Sequence, residues 1–333
     1  MNGKRMLIAL DAMGGDRAPH EAVAGAVQAA RRLDCAIALV GPRPLLEAEL
    51  ARYEPLPSGL QIIEASQNVE MDESSARAVR KKRDASINVA MRLLKEGEVS
   101  AVVSAGNTGA VVTSALLNLG RLPGIHRPAI GALLPSSEHG ALILDAGANA
   151  ECKPAYLVQF AHMGSAYMRR MFGMARPRVG LLNIGEEENK GNELAREVYQ
   201  KLRRTHLNFI GNVEGKDIAR GAVDVVVTDG FTGNIAVKVS EASVMFVVDL
   251  IRDVLTTRLQ YKLAAIALRQ AFYDVRQRLD YSEYGGVPLL GVKGVVIVAH
   301  GRSDANAFKN ALRSAEEAVT AGILEELAET PKK

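Results

Sequence analysis

Six times along the chain an apolar, strand-like run ends in a glycine-rich polar turn and passes into a helix-like stretch. The segments are LIALDAMGGD (7–16), VVSAGNTGA (102–110), LILDAGANA (142–150), LLNIGEEENKGNE (181–193), VVVTDGFTGN (225–234) and VVIVAHGRSD (295–304). A continuous Val/Ile/Leu run closed by Gly, Asn, Asp or Thr suits a parallel strand buried on both faces. Such strands alternating with helical patterns build right-handed βαβ units. The patterning predicts strands near 6–11, 35–41, 60–65, 99–105, 129–134, 141–145, 178–184, 207–210, 223–228 and 294–299. Helices are expected at about 19–33, 43–53, 74–97, 109–120, 153–173, 190–205, 233–280 and 303–327. The fold class is therefore α/β, a mostly parallel, Rossmann-like, three-layer sheet. Residues 122–145 depart from it, with two short strands around Ser136–Gly140 that predict an antiparallel hairpin. In open α/β sheets the turns at the carboxyl ends of the strands gather where ligands bind, and glycine-rich helix starts favour an anion.

A chain of 333 residues suits one large α/β domain over 1–330, with 150–175 as the place for a two-lobe split and 245–280 as a helical extension. Hydrophobic residues at 48% and charged residues at 24% are ordinary for a folded chain, and disorder is expected only near Glu329–Lys333. A net charge of +3, with aromatics at 5%, no Trp and no basic segment interleaved with aromatics, argues against a nucleic-acid partner. Cys35 and Cys152 stand far apart and suggest a reducing compartment. The N-terminal apolar run lasts about five residues before Asp11, too short for a signal peptide. No run reaches the roughly 20 apolar residues of a membrane span. The chain is expected to be cytoplasmic, with surface membrane contact left open.

Two basic stretches stand out. In 233–280, Val254, Leu255, Leu259, Leu263 and Ile266 recur at helical spacing beside Arg252, Arg258, Lys262 and Arg269. Such a stripe is buried on its own core or on a dimer partner, or it lies on an anionic membrane surface. In SSARAVRKKRDAS (74–86), Arg77, Arg80, Lys81, Lys82 and Arg83 form a solvated helix face or a dock for an acidic partner.

The familiar catalytic signatures are absent. There is no Gly-x-Ser-x-Gly elbow, no Gly-x-x-x-x-Gly-Lys-Ser/Thr loop, no His-Glu-x-x-His and no Gly-x-Gly-x-x-Gly. His20, His126, His139, His162, His206 and His300 lack metal-ligand spacing, so no metal is expected. What remains are amide, hydroxyl, carboxylate and lysine groups on glycine turns: Gly106-Asn107-Thr108-Gly109, Asn149, Lys190 among three glutamates, and Asp229 through Thr232 and Gly233 to Asn234. Each turn alone reads equally as a capped helix or tight bend. Together they suit a small oxyanion and a polar acyl group.

In order, Ala9–Asp16 with Pro19, Arg80–Lys82, Ser104–Gly109, Asp145–Asn149, Gly180–Gly185 with Glu187 and Lys190–Gly191, Thr228–Asn234, Tyr284–Gly286, Leu290–Gly291 and His300–Gly301 cover nearly the whole chain. In these motifs the chain resembles the PlsX family, the phosphate acyltransferases of bacterial phospholipid synthesis. DAMGGD and TDGFTGN are the specific ones. The resemblance implies transfer of a fatty acyl group from acyl carrier protein to inorganic phosphate, without a cofactor. It also implies a fold similar to the isocitrate and isopropylmalate dehydrogenases and the phosphate acetyltransferases. A homodimer, loose attachment to the cytoplasmic membrane and a downstream glycerol-phosphate acyltransferase are further expectations. Phosphate is then expected on Gly106, Asn107, Thr108 and Gly109 with Lys190, and on Asn149, with oxyanion contacts at Asn234 and Gly233. Asp229 and His300 become candidates for proton transfer or donor orientation, Arg80 to Arg83 the carrier-protein dock, and Val254 to Ile266 the membrane contact. The alternatives are a coenzyme A-dependent phosphate acetyl- or butyryltransferase, a decarboxylating dehydrogenase on the same fold, and a non-catalytic membrane scaffold.

Overall fold

The computed structural model describes residues 5–136, 140–279 and 285–329. His139, Tyr284 and residues 330–333 of the tail lie outside the described residues. The first half of the chain runs β1 (Leu7–Asp11), α1 (His20–Ala30), β2 (Ala36–Gly41), α2 (Arg43–Leu50), β3 (Leu60–Glu64), α3 (Ser75–Lys81), α4 (Ser86–Glu96), β4 (Ala101–Ser104) and α5 (Thr108–Asn118). It continues with β5 (Ala129–Leu134), β6 (Ala141–Leu144), α6 (Pro154–Phe172), β7 (Arg178–Leu182), α7 (Glu193–Leu202), β8 (Asn208–Val213), α8 (Gly215–Ala219) and β9 (Val225–Val227). The remainder is α9 (Gly230–Thr257), α10 (Leu259–Ala267), α11 (Arg269–Leu279), β10 (Val287–Leu290), β11 (Val295–Val298), α12 (Ala305–Thr320) and α13 (Ile323–Glu329).

Every strand among the described residues joins one 11-stranded sheet in the order β3-β2-β1-β4-β11-β10-β5-β6-β9-β7-β8. Helices cover both faces, giving the three layers expected. One face packs α1, α6 and α12 against the sheet around Phe160 and Phe308. The other packs α4 and α5 over the first strands and the start of α9 over β5, β6 and β9. Strands such as β4 and β6 are buried at every residue, which is why they read as unbroken apolar runs. The hairpin is present as β5 and β6, paired antiparallel from Gly131 with Leu144 to Leu134 with Ala141.

Several elements differ from the pattern along the sequence. β10 went unseen because Gly285 and Gly286 precede a run of only four residues containing Pro288. The stretch 74–97 is two helices, since Lys82 leaves helical geometry (φ −93°, ψ 75°). The stretch 233–280 is three, because Arg258 is extended (φ −127°, ψ 144°) and turns α10 back against α9, and Leu268 (φ −94°, ψ 6°) leaves helical geometry before α11.

The largest departure concerns strand direction. β1, β2, β3, β4 and β11 are mutually parallel, as are β6, β9, β7 and β8. Between the two blocks lie three antiparallel pairings, β11 with β10, β10 with β5 and β5 with β6. Three reversals leave the blocks pointing in opposite directions. The six glycine turns therefore do not share one edge: 11–16, 104–109 and 298–304 lie at one, and 145–150, 183–193 and 228–234 at the other. The direction changes across these central strands, while 154–172 is one continuous helix.

Candidate active site

At the first edge, β1 and β4 deliver Asp11 and Ser104 side by side. The Ser104 hydroxyl donates to Asp11 Oδ2 at 2.7 Å and the Met13 N–H donates to Oδ1 at 3.3 Å. Asp11 is buried, and burial pushes its carboxyl above the ordinary value against those bonds. The turn at Gly14 packs directly on Gly106, where a β-carbon on Gly14 would meet the Gly106 nitrogen at 2.6 Å. The space beneath this turn, about 10 Å³, has room for one water.

Much of the expected phosphate cradle is already engaged. The Gly106 N–H donates to Ser104 Oγ at 3.1 Å. The Asn107 carboxamide caps α5 by accepting from the Ala110 N–H, accepts from Ser75 Oγ at 2.8 Å and donates to the Met71 carbonyl at 2.8 Å. Asn107 therefore holds α5 to the 71–75 segment. Thr108 and Gly109 remain exposed at the first turn of α5, where N–H groups have no intrahelical partner.

At the second edge, Asp145 is fully buried and accepts from the N–H groups of Ile130, Gly147, Ala148 and Asn149 and from Asn149 Nδ2, at 2.7–3.2 Å. Burial pushes this carboxyl up as well, with the Asn149 side chain foremost among the donors that oppose it. Asn149 also donates to the Pro128 carbonyl at 2.8 Å, and its own carbonyl accepts from the Gly230 N–H. Its amide is thus a strut for Asp145, already used where a phosphate contact was expected. Asp229 caps α9, accepting from the Thr232 N–H at 2.9 Å and hydroxyl at 2.8 Å. The Gly233 N–H donates to the Asp229 carbonyl at 2.9 Å, so it is not an open oxyanion donor.

Lys190 sits beyond β7, six strand positions from β4 and at the other edge. At ~4.8 Å per strand that is about 29 Å. One chain cannot place a single phosphate on both Lys190 and Gly106–Gly109. Of the three glutamates around it, Glu186 pairs with Lys216 at 3.0 Å and Glu188 with Arg203 at 3.3 Å, leaving Glu187 at 3.8 Å. The Asn183 and Asn212 amides donate to the Lys190 and Glu187 carbonyls and hold this loop in place.

α9 is what brings the two edges together. It starts at the carboxyl end of β9 and runs back along the sheet face over β5 and β6. Asn234 lies against Gly147, and its exposed amide has no hydrogen-bond partner among the described residues. One turn on, Lys238 Nζ is 2.9 Å from His300 Nε2, which belongs to the turn after β11. Burial, and then Lys238, hold the His300 imidazole below its usual value. Asn234 and His300 are thus brought into one seam, with Lys238 between them. Lys238 went unnoticed in the sequence, although its position four residues after Asn234 puts both on one helix face.

In the basic cluster, Arg80, Lys81 and Arg83 are exposed, and Arg77, Arg80 and Lys81 line a groove of about 530 Å³. Lys82 is withdrawn, its ammonium donating to Glu73 at 2.7 Å and to the Asn68 carbonyl at 2.9 Å. On the extension Val254, Leu259, Leu263 and Ile266 are exposed, whereas Leu255 is half-buried. Among the described residues no helix is long and apolar enough to cross a membrane, and no cluster of metal-ligating side chains occurs.

A family model described as "Fatty acid synthesis protein" matches residues 6–326. The chain belongs to that family. It is 52% identical to a phosphate acyltransferase of Heliobacterium modesticaldum over 325 residues, covering 97% of each chain. A phosphate acyltransferase of Desulfitobacterium hafniense is 49% identical over 97% of this chain and 96% of its own. The fatty acid synthesis family member described here is accordingly an enzyme of the phosphate acyltransferase group. Among solved structures, a phosphotransacetylase from Streptococcus pyogenes matches with a TM-score of 0.60 at 18% identity, covering 97% of this chain and 95% of that one. A 4-hydroxythreonine-4-phosphate dehydrogenase from Klebsiella pneumoniae matches with a TM-score of 0.55 at 14% identity, covering 95% and 100%. At such identities these structures establish the shared fold alone.

Proposed function

We propose that the enzyme transfers a long-chain fatty acyl group from acyl carrier protein to inorganic phosphate, giving acyl phosphate for phosphatidic acid and phospholipid synthesis. A phosphate oxygen attacks the thioester carbonyl, the new C–O bond forms, and the C–S bond breaks. With HPO4²⁻ as nucleophile, its own proton ends on the departing sulfur, so no external acid is consumed. The observation that carries this reading is the seam on α9, where the Asn234 amide, without a hydrogen-bond partner among the described residues, stands one turn from Lys238, which in turn faces His300. Burial pushes the Cys152 thiol up to about 11 and the Cys35 thiol up to about 12, which disfavours a thiolate intermediate. Direct attack by a bound anion needs only positioning and an oxyanion donor. Asn234 is that donor. Lys190, on a loop held by two amides, serves the same edge.

The carrier protein docks on the groove of Arg77, Arg80 and Lys81. Ser75, at the start of the same helix, touches Asn107, so the groove opens beside the 104–109 turn. The exposed stripe of α9 and α10 serves a second copy of the chain or the inner face of the cytoplasmic membrane, where a downstream glycerol-phosphate acyltransferase would take up the product.

The test compares palmitoyl carrier protein with acetyl-coenzyme A as donors. Phosphate-dependent loss of the carrier-protein thioester is expected, and preference for acetyl-coenzyme A would overturn the donor assignment. Reduction of a nicotinamide cofactor with a hydroxy acid would indicate the dehydrogenase reading instead. A scaffold without activity would tolerate Lys190→Ala and Asn234→Ala with lipid output unchanged.

A further inference from the structure

Arg127 is exposed and makes no ion pair or side-chain hydrogen bond among the described residues, yet the backbone on either side of it is fixed. The His126 N–H donates to Gln159 Oε1 at 2.9 Å, the His126 carbonyl accepts from Arg121, and the Pro128 carbonyl accepts from Asn149 Nδ2 at 2.8 Å. Gln159 is buried and also donates to the Gly124 carbonyl at 2.8 Å. The placement of Arg127 therefore does not depend on any one of these side chains. β5 begins two residues later and pairs antiparallel with β6, so its start lies beside the carboxyl end of β6. There the Ile130 N–H donates to Asp145 Oδ1 and the Ala146 N–H donates to the Ile130 carbonyl. Continued outward, this pairing sets Arg127 beside the 147–149 turn, against which Asn234 lies. The same turn carries the start of α9, because the Asn149 carbonyl accepts from the Gly230 N–H at 2.8 Å. Burial raises the Cys152 thiol, opposed by the Gly230 N–H and by the charge of Arg127, which locates that charge at this turn. The carboxylates of the turn are already taken. Asp145 accepts from five donors, and Asp229 from the Thr232 N–H and hydroxyl.

We propose that Arg127 is a phosphate-binding residue of this enzyme, its guanidinium receiving the anion at the 147–149 turn beside Asn234. The proposal rests on the acyl-transfer reading above and assigns the nucleophile its place within it. An arginine keeps its charge at any pH the protein tolerates, and its planar fork of N–H donors matches two oxygens of a phosphate. Two parallel charge-assisted bonds orient the anion as well as hold it. A cation free of partners on a fixed backbone gives up little conformational freedom when the anion arrives. Phosphate held there stands on the same turn as Asn234, as attack on a carbonyl polarised by that amide requires. The occupant is the free phosphate substrate. A phosphodiester on the carrier protein's prosthetic arm has the same chemistry, and the experiment separates the two.

Inorganic phosphate is titrated calorimetrically into the full-length protein without acyl donor, for the wild type, Arg127→Met, Arg127→Lys and, as a comparison, Lys95→Met in the exposed last turn of α4. Steady-state KM values are measured separately for phosphate and for palmitoyl carrier protein. Losing a charge-assisted pair should make phosphate affinity about tenfold weaker and phosphate KM about tenfold higher in Arg127→Met, with carrier-protein KM within about twofold. Arg127→Lys keeps the charge and loses the fork, so its affinity should fall between the two. Lys95→Met should bind phosphate like the wild type. In wild-type protein, modification of Arg127 by phenylglyoxal, read by peptide mass spectrometry, should slow roughly tenfold at a phosphate concentration about ten times its Kd. Chloride at equal ionic strength should not slow it, and this readout does not depend on any variant folding. Unchanged phosphate affinity in folded Arg127→Met, or modification that phosphate leaves unslowed, would overturn the seat while leaving acyl transfer intact. A raised carrier-protein KM with unchanged phosphate KM would overturn the assigned occupant. Absence of phosphate-dependent thioester loss in the wild type would instead refute the reading on which the proposal rests.

Discussion

A β-carbon built on Gly233 would collide with the carbonyl oxygen of Asp145. The first turn of α9 thus rests directly on the end of β6, and this contact sets where Asn234 and Lys238 stand. Gly233→Ala must push the helix outward. It should cost ~3 kcal/mol by overpacking and depress turnover further than the lost stability accounts for. Urea midpoints and kcat measured together check this, and an unchanged midpoint would show that the helix start yields freely.

Asn149 gives two of the five bonds that satisfy the buried Asp145 carboxylate. Asn149→Ala keeps the backbone bond and loses the side-chain bonds to Asp145 and to the Pro128 carbonyl, of which the one to the charged group contributes roughly 1.5–3 kcal/mol. A fall in stability of that size is expected, with phosphate KM in the folded fraction little changed. If the variant kept its stability and raised phosphate KM, the amide would be a ligand contact and not a strut.

Asn234→Ala should behave in the opposite way. The side chain is exposed and has no partner among the described residues, so the melting transition should shift by under ~0.5 kcal/mol. Loss of a single oxyanion donor should lower kcat by about 10²–10³-fold. Equal kcat in the variant would remove Asn234 from the chemistry.

His162 on α6 is buried, and burial, then Arg169 and His206, hold its imidazole below the usual value. A histidine whose folded value is depressed takes up its proton more readily in the unfolded chain. Its contribution is therefore present above about pH 6.5 and is lost as pH falls through the folded value. His162→Gln should flatten the acid limb of a stability–pH curve measured by urea unfolding between pH 7.5 and 5, and an unaltered slope would contradict this. His300, depressed for related reasons, should remain as a second contributor in that variant.

Leu259 and Leu263 are 75% and 61% exposed on α10. Leu259→Glu with Leu263→Glu should leave the fold of one chain intact and weaken whatever covers the stripe. Liposome co-sedimentation measured beside dimer mass separates the two occupants. Lost dimerisation with unchanged lipid binding would assign the stripe to a second copy.

Local sequence carried much of this. The unbroken apolar runs at 101–104 and 141–144 specify strands buried on both faces, and the caps at Asn107, Asp229 and Asp304 mark helix starts. β10 was hidden because four residues with a proline carry too little pattern. The break at Arg258 was hidden because its neighbours keep helical spacing on both sides. Asn149 and Asp229 looked like ligand groups because a cap, a strut and an anion contact draw on the same few residue types.

The sequence by itself determined the α/β class, the glycine turns and the family, since these depend on local backbone preference and on ordered motifs. Only the tertiary structure decided which turns share a site. Three antiparallel pairings at the centre of the sheet reverse the second block, and strand direction depends on pairing between residues far apart in the chain. That reversal separates Lys190 from Gly106–Gly109 and leaves α9 to join the edges. Lys238 gains its importance from His300, 62 residues away, because side-chain chemistry depends on what the fold sets opposite it.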